Sequence, residues 1–301
     1  MEKEVLDNYL KSAKIMKQVL EFARSQAKPG ASFLQLAEKI EAKIVELGGQ
    51  PAFPVNLSRN AEAAHYTPFV GDVSFAGEKD VLKIDVGVHV DGYIVDAAFT
   101  VDFSGENADL VEATQAALNA AIERVHAGAS VREIGREIAL EIRRRGFEPI
   151  QNLAGHSLEQ YVLHAGEEIP NVEQGDYVLR EGDVFAIEPF ATTGKGRVID
   201  TEFLEIYSIE EPKKVRLPAS RALLEAASKY ELLPFATRWF AKEFDVQSPS
   251  FKLALADLTR QKVFHPYHGL REASGGLVSQ AETTVIVQEN DCKPLTPPLS
   301  L

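Results

Sequence analysis

Asp85 and Asp96 are acids whose spacing could do chemistry. They lie in residues 81–103, VLKIDVGVHVDGYIVDAAFTVDF, where two runs of alternating apolar residues flank Asp91-Gly92. Asp-Gly between such runs is the strongest short-range signal for a two-residue hairpin turn. That turn pairs Val90 with Tyr93, Val88 with Val95, Val86 with Ala97 and Ile84 with Phe99 on one face. The other face carries Asp85 opposite Ala98, with Asp96 as its diagonal neighbour, roughly 7–8 Å away at the backbone. Two acids so placed can hold a cation. The spacing suits two solvated carboxylates on an exposed sheet face equally well.

Three more residues widen the set. His156 lies in Gly155-His156-Ser157, Glu188 precedes Pro189, and Glu282 sits in the strand-like run SQAETTVIV. A carboxylate buried mid-strand at Glu282 is costly unless paired. One histidine and four carboxylates form a hard, oxygen-rich donor set. Its negative charge suits two divalent ions better than one. Two ions about 3.5–4 Å apart can hold a hydroxide and polarise a carbonyl or phosphoryl group, so hydrolysis of amides or phosphoesters is the expected chemistry.

Competing motifs fail. Gly155-His156-Ser157-Leu158-Glu159 has Glu where a nucleophile elbow needs Gly. Gly194-Lys195-Gly196 lacks the earlier glycine of a phosphate loop, since Pro189 stands there, and no Ser or Thr follows the Lys. His265 and His268 read as a solvated loop pair. His89 and His126 carry no supporting pattern.

These residues must be positioned by the surrounding elements. Residues 2–27 place Val5, Tyr9, Ala13, Met16, Leu20 and Ala23 on one helical face before Pro29-Gly30 breaks the run. A second helix opens at Ser32, with Gln35 completing a capping box, and ends at Gly48-Gly49. Residues 50–68 read as a loop or irregular strand containing His65, and residues 110–125 as a helix. The pattern then recurs at an offset of 98: Gly128-Ala129-Ser130 repeats Gly30-Ala31-Ser32, Ile134, Ile138 and Ile142 repeat Leu36, Ile40 and Ile44, and Pro149 repeats Pro51. Ser130 with Glu133 predicts a second capping box. His164 follows His65 by 99 residues, and residues 184–190 stand where the copied hairpin belongs. An internal duplication is the economical reading. It predicts an α+β fold in which two halves form one curved antiparallel sheet backed by helices, with the site on the pseudo-twofold axis.

Residues 211–270 change character. Residues 218–230, 234–244 and 250–262 read as short helices. The segment has ten Lys or Arg against six Asp or Glu, a net +4 that leaves −17 for the rest. The expected division is a catalytic domain at 1–210 and 271–301 and an inserted helical, winged-helix-like subdomain at 211–270. A short Pro-rich tail follows the last strand.

The 301 residues are 45% apolar and 26% charged, which allows a full core. A single Cys292 excludes an intrachain disulfide and a cysteine-based zinc site and suits a reducing compartment. No run approaches the roughly 18 apolar residues of a membrane span, and no apolar signal segment precedes the first helix. A cytoplasmic protein without membrane association is expected. The net charge of −13 argues against nucleic acid as the main ligand.

Six motifs together resemble those of type 2 methionine aminopeptidases of the short archaeal kind, whose fold is called pita-bread. They are Ala63-Ala64-His65-Tyr66-Thr67-Pro68, Lys83-Ile84-Asp85-Val86-Gly87, Asp96-Ala97-Ala98-Phe99-Thr100, Asn152-Leu153-Ala154-Gly155-His156-Ser157, Ala186-Ile187-Glu188-Pro189-Phe190 and Gln280-Ala281-Glu282. The resemblance covers nearly the whole chain and includes the helical insertion that separates type 2 from type 1. It implies removal of the N-terminal methionine from nascent chains and peptides with a small uncharged second residue. It implies two divalent ions, with Co, Mn, Fe and Zn all tolerated. Asp85 would chelate one ion, Asp96 and Glu282 would bridge both, and His156 and Glu188 would complete the other. Glu188 would also shuttle a proton. His65 and His164 would contact substrate and the tetrahedral intermediate, and Phe53 and Tyr267 would line the methionine pocket. Where vertebrate members carry a further pocket histidine, this chain has Ile206, and the Lys-rich and acidic N-terminal extension of eukaryotic members is not expected here.

Two rivals remain. Xaa-Pro peptidases such as prolidase and aminopeptidase P use the same five ligand types but carry an additional N-terminal domain, whereas only 84 residues precede Asp85 here. Non-catalytic relatives bind RNA or protein but have lost ligands. The basic insertion leaves a ribosome contact open, and a monomer is expected.

Overall fold

The computed structural model describes residues 1–211 and 213–296; the Pro-rich tail expected beyond them lies outside. The first half runs α1 (Lys3–Gln26), α2 (Phe33–Glu46), β1 (Gln50–Pro51), β2 (Asn56–Arg59), β3 (Glu62–Ala64) and the long hairpin β4 (Val81–Val90) and β5 (Tyr93–Asp102). The second half runs α3 (Ala108–Ile122), α4 (Val131–Arg144), β6 (Glu148–Pro149), β7 (Ala154–Ser157), β8 (Glu168–Pro170), β9 (Val184–Ile187) and β10 (Phe190–Thr192). Then come β11 (Val198–Ile209), α5 (Pro218–Ala227), β12 (Phe235–Ala236), α6 (Pro249–Arg260) and β13 (Phe264–Glu272). The last strands are β14 (Val278–Gln280), β15 (Thr283–Val287) and β16 (Cys292–Pro294).

The repeat is visible in the backbone. Helices α2 and α4 are both 14 residues long, and their bounds differ by 98, as do those of β1 and β6. Each helix is preceded by an isolated antiparallel bridge, Ser32 to Phe75 and Ser130 to Val178. The caps differ. Ser32 Oγ accepts the Gln35 N–H at 3.4 Å, whereas Ser130 makes no side-chain cap, so the second capping box does not form. Each helix pair backs its own sheet. Met16, Leu20, Phe33 and Ile40 pack with Ile84, Val86 and Val88 of β4. Leu118, Ile134, Ile138 and Ile142 pack with Phe185, Ile187 and Val285. Each such side chain, once buried, contributes about 1.5–3 kcal/mol.

Strands β11 and β13 pair antiparallel, and β13 continues to pair with β3 through Leu270 and Arg271. The elements between them share a separate apolar cluster that includes Leu223, Phe235, Phe240, Phe251 and Leu258. Two expectations are corrected here. Residues 234–244 are not a helix: Phe235 and Ala236 pair with Tyr207 and Ile206 as β12, and a 3₁₀ turn, Thr237–Phe240, follows. The edge of β11 offered backbone partners that a helix would have left unused. His265 and His268 lie on β13 rather than in a loop.

Candidate metal and substrate site

The hairpin sets the first two acids by register alone. Asp85 pairs with Ala98 and Gly87 with Asp96, as the Asp-Gly turn requires, with φ of 51° at Asp91 and 84° at Gly92. The tip is pinned from the second half, where Tyr161 N–H donates to Gly92 O at 2.9 Å and Gln160 Nε2 donates to Asp91 O at 2.8 Å. Gly87 has a further reason to be glycine. A Cβ there would sit 2.4 Å from the Phe53 ring, so its absence seats Phe53 beside the acids.

The second half presents its acids at breaks between strands. Glu188 lies between β9 and β10, which belong to different sheets. Asn171 holds that break: Nδ2 donates to Leu153 O at 2.9 Å and Glu188 O at 3.3 Å, and Oδ1 accepts the Phe190 N–H at 3.3 Å. Glu282 lies between β14 and β15, which also belong to different sheets, so the single strand expected at residues 278–288 is two. Its N–H donates to Ala98 O at 3.0 Å, while the Thr284 hydroxyl donates to Asp96 O and accepts the Asp96 N–H. These bonds stitch the Glu282 break onto β5. His156 on β7 lies opposite Ala186, and a Cβ on Gly155 would meet Ala186 O at 2.3 Å, so this close approach needs glycine.

The five residues line one cavity. Ligand atoms of Asp96, His156 and Glu282 lie within 4.8 Å of one another. His156 Nε2 is 3.6 Å from Asp96 Oδ2 and 3.9 Å from Glu188 Oε1. Burial comes first among the causes that raise all four carboxyl pKa values. Asp85 is pushed up to about 7, Asp96 is raised further by Asp85 and Glu188, Glu188 by Asp85, and Glu282 by Asp96, Glu188 and Asp85. Burial also lowers His156 to about 4, its neutral, ligating form. Among the described residues, Asp85 Oδ1 and Asp96 Oδ1 are buried with no hydrogen-bond partner. Repelling acids with orphaned oxygens beside a neutral imidazole are a donor set completed by cations, so these residues fit divalent metal.

Gln280 belongs to this cluster, although sequence reasoning cited it only as part of a motif. Its Nε2 lies 3.3 Å from Glu282 Oε2 and 3.5 Å from both Asp85 Oδ2 and Glu188 Oε2. Its place two residues before Glu282, on the same face of the strand expected at residues 278–288, was the available signal. Asn171 had none, since its role depends on where β8 docks.

The other expected residues line the same cavity, whose volume is about 70 Å³. Phe53, Leu153, Leu163, Phe190, Ile206 and Pro234 give it an apolar wall, with His65, His164 and Tyr267 beside them. His65 adopts φ 64°, a left-handed conformation uncommon for a side-chain-bearing residue. Its Nδ1 lies 3.0 Å from His268 O, which can only accept, so Nδ1 carries the proton. Burial lowers its pKa, so the ring is neutral and Nε2 is an acceptor. His164 stands at the exposed mouth, its ring centroid 4.4 Å from that of His156 and 5.9 Å from that of Tyr267. Desolvation, then His156, His65 and His265, lower its pKa, and solvent at its exposed position screens part of that effect. A wider cleft of about 680 Å³ shares His65, His156, His164 and Glu188 and leads outward past Asn152 and Glu167.

A curled antiparallel sheet holding such a cluster defines a class of metallopeptidase. The model of metallopeptidase family M24 matches residues 7–219, and the chain belongs to that family. It is 50% identical over 288 residues to a methionine aminopeptidase of Pyrococcus horikoshii, covering 95% of this chain and 97% of that one. That relatedness groups it with the methionine aminopeptidases, enzymes that hydrolyse peptide bonds. The fold is the pita-bread fold: a methionine aminopeptidase of Thermotoga maritima superposes with a TM-score of 0.72 at 20% identity, covering 98% of this chain and 97% of that one. A thermophilic Arx1 superposes with a TM-score of 0.87 at 19% identity, covering 100% and 93%, which is a likeness of fold. No helix among the described residues is long and apolar enough to cross a membrane.

Proposed function

We propose that the chain removes the N-terminal methionine from nascent proteins and peptides, favouring a small uncharged second residue. The observation that carries this reading is a set of four carboxylates and one histidine, buried at Asp96, His156 and Glu282 and half-buried at Asp85 and Glu188, lining a cavity of about 70 Å³ that also has an apolar wall. A space of that size admits a single side chain, so the scissile bond follows the first residue. The rest of the substrate leaves by the wider cleft.

Asp85, Asp96, His156, Glu188 and Glu282 would hold two divalent ions, and Co, Mn, Fe or Zn suits this donor set. Bound ions would supply Lewis acidity and a water of lowered pKa. The chain's own groups do the rest. Glu188, at the edge of the cluster, accepts a proton and passes it to the leaving amine. His65 Nε2 accepts a substrate N–H. His164 donates to the oxygen that becomes negative on attack. Phe53, Ile206 and Tyr267 hold the methionine side chain and exclude water. Residues 211–270, excluding undescribed Pro212, serve as an inserted subdomain on the rim; their net positive charge suits a ribosome contact. A cytoplasmic monomer fits this role.

The test is hydrolysis of Met-Ala-Ser and of Xaa-Pro peptides by chelator-treated protein titrated with each metal. Release of methionine at about two ions per chain supports the reading. Cleavage confined to Xaa-Pro bonds overturns it. Protein purified without chelators that contains no metal and hydrolyses neither peptide is instead a binding relative.

A further inference from the structure

A closed ring of hydrogen bonds lies behind the apolar wall, and nothing in the chemistry above uses it. Val55 sits between the wall residues Phe53 and Asn56. Its N–H donates to Glu41 Oε1 at 3.1 Å, and its carbonyl accepts from Thr67 Oγ1 at 2.8 Å. Arg238 closes the ring. Its Nη2 donates to Glu41 Oε1, and its Nη1 donates to Thr67 Oγ1 at 2.7 Å and to Pro68 O at 3.2 Å. Trp239 Nε1 takes the other Glu41 oxygen at 3.0 Å. The neighbouring Thr237 hydroxyl donates to Glu205, next to Ile206 of the wall.

The members come from separate parts of the chain: Glu41 from α2, Val55 and Thr67 from two loops of the first half, and Arg238 from the 3₁₀ turn of the 211–270 segment. The side chains of Glu41 and Arg238 are 12% and 4% exposed. A buried ion pair is weak evidence for stability, since an apolar pair of similar volume often serves as well or better. What the ring does add is position. It fixes both backbone polar groups of Val55, and hence the loop from Phe53 to Asn56. Thr67, two residues after His65, is fixed by the same guanidinium. Burial raises the Glu41 pKa, and Arg238 opposes that shift.

We propose that Glu41 and Arg238 are positioning residues that clamp the 211–270 segment to the loop from Phe53 to Asn56 and so set the width of the pocket for the first side chain of the substrate. This rests on the aminopeptidase reading above. The clamp acts on recognition: none of Glu41, Val55, Thr67 and Arg238 is a proposed metal ligand, and the loop they hold reaches the cluster only through Asn56, the strand partner of Asp85.

The experiment compares wild type with Glu41→Gln, Arg238→Met, Arg238→Lys and the Glu41→Gln/Arg238→Met double variant. Each is assayed on Met-Ala-Ser and Leu-Ala-Ser, with metal affinity by calorimetry and Tm recorded alongside. Arg238→Met and Glu41→Gln should raise KM for Met-Ala-Ser about tenfold and narrow the preference for Met over Leu by about tenfold, the scale of a pocket misfit. Metal affinity should be unchanged, and kcat should move less than about threefold. The double variant should be no worse than the poorer single one, since both break one ring. Arg238→Lys should recover part of the selectivity. If Arg238→Met does not fold, the isosteric Glu41→Gln reads the same quantities. A lowered Tm with wild-type KM and selectivity would make the ring merely structural and overturn the proposal, as would a loss of metal affinity. Wild-type protein that releases no methionine would instead sink the aminopeptidase reading on which the clamp rests.

Discussion

The two halves of the repeat hold their ligating groups by different means. In the first half Asp85 and Asp96 lie mid-strand in an unbroken hairpin, and their positions follow from register. In the second half Glu188 sits at a strand break, and Glu282, near the chain's end, sits at another. Side chains support both breaks: Asn171 Nδ2 donates to the Glu188 backbone carbonyl, and Gln280 Nε2 donates to the Glu282 carboxylate two residues on. A duplicated scaffold thus supplies a rigid pair and an adjustable pair. The rigid pair is set by the continuous β4–β5 ladder, with Thr284 bracing the Asp96 backbone, whereas the adjustable pair sits where no ladder runs through and leans on contacts that a single substitution can remove.

The rigid pair should give the largest effect. Asp96→Asn keeps the shape of the hairpin but removes a charge at the centre of the cluster. Metal content should fall by at least one ion per chain, with turnover down by more than the roughly 10–100-fold typical of losing an outer-shell partner. Metal analysis and peptide hydrolysis on the same sample check this, and a variant with full metal and full rate would falsify the dinuclear assignment.

The histidines come next. His164→Ala should cost on the order of 10²–10³ in turnover, as for loss of one oxyanion donor, and keep its metals and Tm. His156→Ala should instead lose metal. A metal-depleted His164 variant would make His164 a ligand, and one with normal turnover would make it packing.

The adjustable pair can be probed without touching a ligand. Gln280→Leu leaves every proposed ligand in place and removes the amide that faces three of them. Metal affinity should drop about 10–100-fold, measured by competition with a chelating dye. Unchanged affinity would mean that the second-half carboxylates are held as rigidly as the first.

The smallest effect concerns the hairpin tip. Gly92 N–H donates to His89 Nδ1 at 3.1 Å, a bond that needs the neutral ring. Burial lowers the His89 pKa to about 4, with Asp91 opposing. Between that value and the unfolded 6.5, the unfolded chain binds more protons, so stability rises with pH. The contribution is present above about pH 6.5 and is lost as pH falls towards 4, on the order of 2 kcal/mol once partial solvent access is discounted. The stability difference between wild type and His89→Asn should shrink over that window. A difference independent of pH would show that the ring titrates as in water.

The sequence alone determined the hairpin, its turn and the diagonal placement of Asp85 and Asp96, because a period-2 pattern around Asp-Gly leaves one register that buries the apolar face. It also determined the repeated helix pair, whose 98-residue offset is carried by local punctuation. What it could not determine were features set by distant partners. The break at Glu282 exists because Thr100, Ala98 and Thr284 bind the chain across β5, almost two hundred residues away in sequence for Asp96 and Thr284. The strand at Phe235 exists because β11 has an open edge there. The ring through Glu41, Val55, Thr67 and Arg238 joins residues that no spacing rule connects. Local patterns fix what a segment's own backbone must do, but a buried polar group takes whichever partner the folded chain brings within reach, and only tertiary packing decides which that is.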